Sequence, residues 1–159
     1  MDTDTRPAES GAERLRDLER SLPIALLKAR EAVMAHFRPL LAERDFTEQQ
    51  WRVLRVLREA GPLDPTELAE RSVILLPSLS RILKALEARG MIRRERHIGD
   101  GRRQTIHLSK VARRAVDEAS PASNRAYAEL ERQYGAEKME RLLAMLGDLA
   151  SLKPPQPER

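Results

Sequence analysis

The stretch from Asp64 to Ser109 constrains this chain more than any other, because it sets two helix starts and a hairpin in quick succession. Asp64-Pro65-Thr66-Glu67 announces a helix. Asp64 is placed to cap it, Pro65 suits a first turn that needs no N–H, and Glu67 has capping-box spacing. The helix must be short, since Leu68 and Ala69 are the only inward candidates before Arg71-Ser72. A second helix beginning near Pro77 puts Leu79, Ile82, Leu83 and Leu86 on one face and Ser78, Ser80, Arg81 and Lys84 on the other. Gly90 is positioned to end it. Two strands follow, Met91 to Ile98 and Arg103 to Leu108, with Gln104, Ile106 and Leu108 alternating onto one face and Gly99-Asp100-Gly101-Arg102 turning between them. Short helix, turn, helix and hairpin in that order predict a winged helix-turn-helix, a device for reading duplex DNA.

Charge supports the same expectation. From Pro77 to Arg114 there are eleven cations (Arg81, Lys84, Arg89, Arg93, Arg94, Arg96, Arg102, Arg103, Lys110, Arg113, Arg114) against three anions (Glu87, Glu95, Asp100), a net of +8. The whole chain is only +4, so the remainder is −4. Charge segregated in this way presents a basic surface to a polyanion. Short hydroxyls and long cations on the second helix suit a major groove, where they reach base edges and phosphates. At the hairpin, Arg102 and Arg103 suit a narrow minor groove that attracts arginine, with Asp100 placed to steady one of them.

The rest of the chain excludes several alternatives. Its 159 residues suit one compact domain or two joined lobes; 41% apolar with 3% aromatic and 34% charged residues favours a mainly α protein over a sandwich or barrel. No run approaches the roughly 18 apolar residues of a spanning helix, and the polar N-terminus lacks the pattern of a secretory signal, so a cytoplasmic protein is expected with no membrane partner. Without cysteine there is no disulfide, cysteine–zinc site or thiol sensor. His36, His97 and His107 show no metal-ligand spacing, and no GxSxG, P-loop or GxGxxG motif occurs, so neither a metal, a cofactor nor an enzyme is expected.

Residues 1–20 read as a mobile tail. A long amphipathic helix is predicted over 21–45, with Leu26, Leu27, Val33, Met34, Phe37, Leu40 and Leu41 on one stripe and Arg30 within it. Arg30 can snorkel to water or meet a ligand carboxylate. Thr47 and Gln50 have capping-box spacing for the next helix, where Trp51 is either core or a stacking wall for an aromatic ligand. The winged domain is placed at 46–109. Ser109 then caps a helix with an alanine seam (Ala112, Ala115, Ala119, Ala122, Ala126), which Pro121 should bend or interrupt and Gly135 should end. A last helix near Ala136 to Ala150 carries Met139, Leu142, Leu143, Leu146 and Leu149, before a proline-rich tail at 152–159. The terminal helices, 21–45 and 110–151, have apolar faces that a small central domain cannot cover. A second copy of the chain is the economical partner, and a two-fold dimer implies a pseudo-palindromic site.

Leu86-Glu87-Ala88-Arg89-Gly90-Met91-Ile92-Arg93-Arg94, then Asp100-Gly101-Arg102 and Leu108-Ser109, resembles the signature of MarR-type transcriptional regulators. Leu22 to Ala32, Phe37-Arg38-Pro39, Thr47 to Arg52 and Leu76 to Leu79 resemble the subgroup that controls homoprotocatechuate (4-hydroxyphenylacetate) degradation operons. The resemblance implies a dimeric repressor released by a small aromatic acid such as a hydroxyphenylacetate. It further implies that Ser78, Ser80, Arg81 and Lys84 face DNA, that Arg102 enters the minor groove, and that Arg30, His36 and Trp51 lie near the effector. Three positions depart from the pattern: Leu76 where a polar cap is usual, Ala112 where glycine is common, and Pro121 within the long helix. From the residues themselves, an effector-independent DNA-binding factor and a winged-helix protein adaptor stay open beside the repressor.

Overall fold

The computed structural model describes residues 18–97 and 100–153, except the side chains of residues 19, 97 and 100–103. The chain divides into two units, Met1–Met34 and Ala35–Arg159. In the first, a 3-10 turn (Leu18–Arg20) leads into α1 (Leu22–Ala35), which buries no residue. The second contains α2 (Arg38–Ala42), α3 (Glu48–Ala60), α4 (Pro65–Ser72), α5 (Leu76–Ala88), a hairpin of β1 (Ile92–His97) and β2 (Asp100–Leu108), α6 (Lys110–Tyr134) and α7 (Ala136–Ala150). The fold is mainly α with one small antiparallel hairpin, as the sequence predicts.

The predicted 21–45 helix is not continuous. It stops at Ala35 and restarts at Arg38, because Pro39 has no N–H to donate back to residue 35 and its ring would clash with that carbonyl. The apolar stripe divides at the same place. Phe37, Leu40 and Leu41 are buried, whereas Leu26, Leu27 and Val33 are exposed. The Phe37 ring meets Tyr127 of α6 edge-on, with centroids 4.9 Å apart.

At the start of α3, Thr47 and Gln50 close the expected capping box. Val53, Leu54 and Leu57 turn inward to meet Leu68 of α4, Leu79, Leu83 and Leu86 of α5, Ile92 and Ile106 of the hairpin, and Ala112 and Val116 of α6 in one core. Every element from α3 to α6 therefore has an apolar face on the same cluster, which fixes α4, α5 and the hairpin relative to one another. Leu63 adds a short third rung to the hairpin, exchanging backbone bonds with Ile106 in both directions (3.2 and 2.7 Å). In the hairpin register Ile92 faces Leu108 and Arg94 faces Ile106, with an irregularity between Arg96 and His97. β2 begins at Asp100, so Asp100, Gly101 and Arg102, expected in the turn, belong to the strand; Ile98 and Gly99 lie outside the described residues.

Of the alanine seam of α6, Ala112 and Ala119 are buried, alongside Val116, Ser123 and Leu130, whereas Ala115, Ala122 and Ala126 are only half-buried. Pro121 does not interrupt the helix, which runs unbroken from Lys110 to Tyr134. Pro121 and Asp117 are both exposed, so the carbonyl deprived of its N–H partner lies where water can reach it. Gly135, at φ 100, separates α6 from α7, a backbone that L side chains rarely adopt.

Candidate nucleic-acid interface

The helix pair is held by polar contacts at each end of α4. Asp64 accepts from the Thr66 and Glu67 N–H groups at 2.8 and 3.0 Å, leaving two fewer orphan donors at its start. Glu67 does not close the expected capping box; its carboxylate takes the Arg71 guanidinium one turn on, at 2.6 Å. At the other end, Arg52 of α3 donates to the Ser72 and Val73 carbonyls at 3.0 and 3.3 Å. Ser72, which reads as polar surface in the sequence, is fully buried, its hydroxyl donating to the Leu68 carbonyl. Val73 then turns the chain through a left-handed conformation, φ 52 and ψ 52, into α5.

α5 separates its faces as the periodicity requires. Leu79, Ile82, Leu83 and Leu86 are buried, Ser78 is half-buried, and Ser80, Arg81 and Lys84 are exposed. Arg81 and Lys84 have no ion-pair partner among the described residues. Two cations on an exposed helical face with no internal carboxylate to neutralise them are available to phosphates and base edges.

Other members of the basic run are occupied. Arg89 reaches back to the Asp45 carbonyl at 2.6 Å and lies 4.6 Å above the Phe46 ring, which ties the end of α5 to the start of α3. Arg94 is paired with Glu87 at 3.0 Å and mostly covered. Arg93 and His107 both approach Glu95, at 3.1 and 3.0 Å, on the outer face of the hairpin. The +8 of the sequence is therefore concentrated on fewer exposed groups, with Arg96 on the hairpin and Lys110, Arg113 and Arg114 on α6 adding to α5. Arg102 and Arg103 have their backbone in β2, and their side chains lie outside the described residues.

The residues expected near an effector fall in different surroundings. Arg30 belongs to the first unit and pairs with Glu31 at 3.0 Å. His36 is half-buried at the break before α2, near enough to Glu129 of α6 to act on its carboxyl. Trp51 is half-buried on α3 against the core, 6.0 Å from the Phe46 ring. An open cavity of ≈310 Å³ between α3 and α6, not anticipated from the sequence, is lined by Arg55, Arg58 and Glu59 of α3 and by Asp117, Ser120 and Ser123 of α6 among others. Asp117 holds Arg58 at 2.7 Å and raises its guanidinium above its ordinary value, whereas Arg55 has no ion-pair partner among the described residues. The sequence signal for Arg55 was its place one turn beyond Trp51. The signal for α6 was absent, because the cavity depends on a pairing of distant segments. No group of metal-ligating side chains occurs among the described residues, and no described helix is long and apolar enough to cross a membrane.

Residues 46–103 match the MarR family model. The homoprotocatechuate degradative operon repressor of Escherichia coli is 42% identical over 132 residues, 83% of this chain and 89% of the repressor. Among solved structures, NadR in complex with 4-hydroxyphenylacetate is similar at a TM-score of 0.74 and 36% identity, over 88% of this chain and 99% of that one. The repressor CouR bound to a 23-mer DNA duplex is similar at a TM-score of 0.75 and 30% identity, over 86% and 99%.

Proposed function

The chain belongs to the MarR family of transcriptional regulators, and from that membership we propose that it is a homodimeric repressor of an aromatic-acid catabolic operon, released from a pseudo-palindromic operator by a small aromatic carboxylate. The observation that carries the DNA-binding half is the exposed face of α5, where Arg81 and Lys84 stand beside Ser80 with no internal partner among the described residues. Ser78, Ser80, Arg81 and Lys84 would read the major groove, and Arg102 and Arg103 of the wing would enter the flanking minor groove. The exposed Leu26 and Leu27 of α1 and Leu143 and Met145 of α7 support self-association, since a second copy would cover them. Two copies would set the α5 helices about 34 Å apart, one duplex turn.

An effector acts only by preferring the state whose recognition helices no longer fit the operator. A hundredfold loss of DNA affinity requires a preference of about 2.7 kcal/mol, within reach of one charge-assisted carboxylate contact and one buried ring. The E. coli repressor and the NadR complex support a hydroxyphenylacetate as that ligand. Within Ala35–Arg159, Trp51 is the candidate ring contact and His36 or the cavity's Arg55 the candidate carboxylate partner; Arg30, of the other unit, is a separate candidate. Titration of operator binding with 4-hydroxyphenylacetate and its dihydroxy analogue tests this. We expect release for the wild type, and near-normal operator binding without release for the variant, Arg55→Ala or Arg30→Ala, that removes the carboxylate partner. A change of less than a few-fold with every aromatic acid tried leaves a DNA-binding protein without this effector. Absence of salt-dependent DNA binding removes the repressor reading itself.

A further inference from the structure

A second feature of α5 lies ahead of its polar face. Leu75, the residue flanking the helix start, is 79% exposed, Leu76 is 49% exposed, and Val73 in the preceding turn is 81% exposed. Together with Pro77 these residues line a shallow, mostly apolar groove against Ala69 and Glu70 of α4. None of them can donate or accept through a side chain, and no side chain caps α5. Exposed leucines at this point cost free energy in water and contribute nothing to the core.

Their place on the helix identifies what they meet. Leu76 lies one turn before Ser80 and Pro77 one turn before Arg81, so the apolar patch continues the exposed strip of Ser80, Arg81 and Lys84 toward the helix N-terminus. In a helix-turn-helix, the N-terminal residues of the second helix approach the base edges. An apolar side chain there has one apolar feature to recognise in the major groove, the C5 methyl of thymine. Resting on the duplex-DNA reading above, we propose that Leu75 and Leu76 read thymine methyl groups and are specificity-determining residues of the operator contact.

The test uses duplexes selected from a randomised pool by the full-length protein. Each thymine is replaced in turn by deoxyuridine, which removes the methyl and keeps every hydrogen-bonding group. At one position per half-site, the replacement is expected to weaken wild-type binding by about fourfold for each methyl lost, the worth of one buried methyl group. Leu76→Ala or Leu75→Ala, both at exposed positions, should bind thymine and uracil duplexes alike at that position and unchanged elsewhere. A wild type that binds the selected duplex but is indifferent to every replacement overturns the methyl proposal and leaves the DNA reading standing. Undiminished discrimination in both variants also overturns it, by moving the contact to other residues. If the leucine variants instead lose self-association, the patch is a protein contact and the proposal fails. If no duplex is enriched, the DNA reading fails with it.

Discussion

Val73 adopts a left-handed backbone that β-branched residues rarely tolerate, with its side chain in solvent where no packing offsets the strain. Val73→Gly should therefore stabilise the protein by about 0.5–1 kcal/mol, after the greater freedom of glycine in the unfolded chain is set against the relief. A urea midpoint that falls instead would show that the turn is not strained. Arg81 and Arg102 test the division of labour between helix and wing. Arg102→Ala should weaken binding across most sequences and reduce the salt slope by about 1, whereas Arg81→Ala should change which sequence is preferred. Fluorescence anisotropy over a panel of duplexes and salt concentrations distinguishes the two, and the opposite pattern would exchange the groove assignments. The hydroxyls and cations of α5 were legible in the sequence because a 3.6-residue period sorts them from Leu79, Ile82, Leu83 and Leu86. Ser72 was not, since its burial follows from the packing of α4 rather than from its polarity.

Two prolines in helical patterns have opposite outcomes, and the difference lies in what each element packs against. Ahead of Pro39 the helix breaks at residues 36–37, and Phe37 in the break is buried together with Leu40 and Leu41 beyond it. At Pro121 the helix continues, with Val116 and Ala119 buried before it and Ser123 and Leu130 after it, while Asp117, whose carbonyl loses its N–H partner, is an exposed residue. Local sequence states the same rule at both positions; tertiary contacts decide whether it is obeyed. Near the end of α6, Arg132 and then Gln133 hydrogen-bond the Glu129 carboxylate and lower its pKa to about 2, with a smaller contribution from the charge of His36. Because the folded value lies below the unfolded one, this contribution is present above the ordinary carboxylate range and is lost as pH falls through that range toward 2. NMR titration should place the Glu129 midpoint near 2, and Arg132→Ala should move it upward. A midpoint that Arg132→Ala leaves unchanged would assign the shift to another partner.

For the molecule as a whole, the outcome that matters is self-association. Leu143 is 56% exposed on α7, so Leu143→Glu should leave the monomer fold intact while shifting the protein toward monomer and weakening operator binding together. Sedimentation velocity and circular dichroism read the two effects, and a variant that stays dimeric would place the interface elsewhere. By itself the sequence determined whatever is set within a few residues: the caps at Asp64, Thr47 and Ser109, the periods of α5 and β2, and the gathering of positive charge between Pro77 and Arg114. It did not determine which of those charges remain available. Arg89 is consumed by the backbone of Asp45, 44 residues away in the chain, and Arg58 faces Asp117 across 59 residues to help form a cavity. Such pairings depend on where packed segments bring groups in space, and a side chain's neighbours along the chain carry no record of that distance.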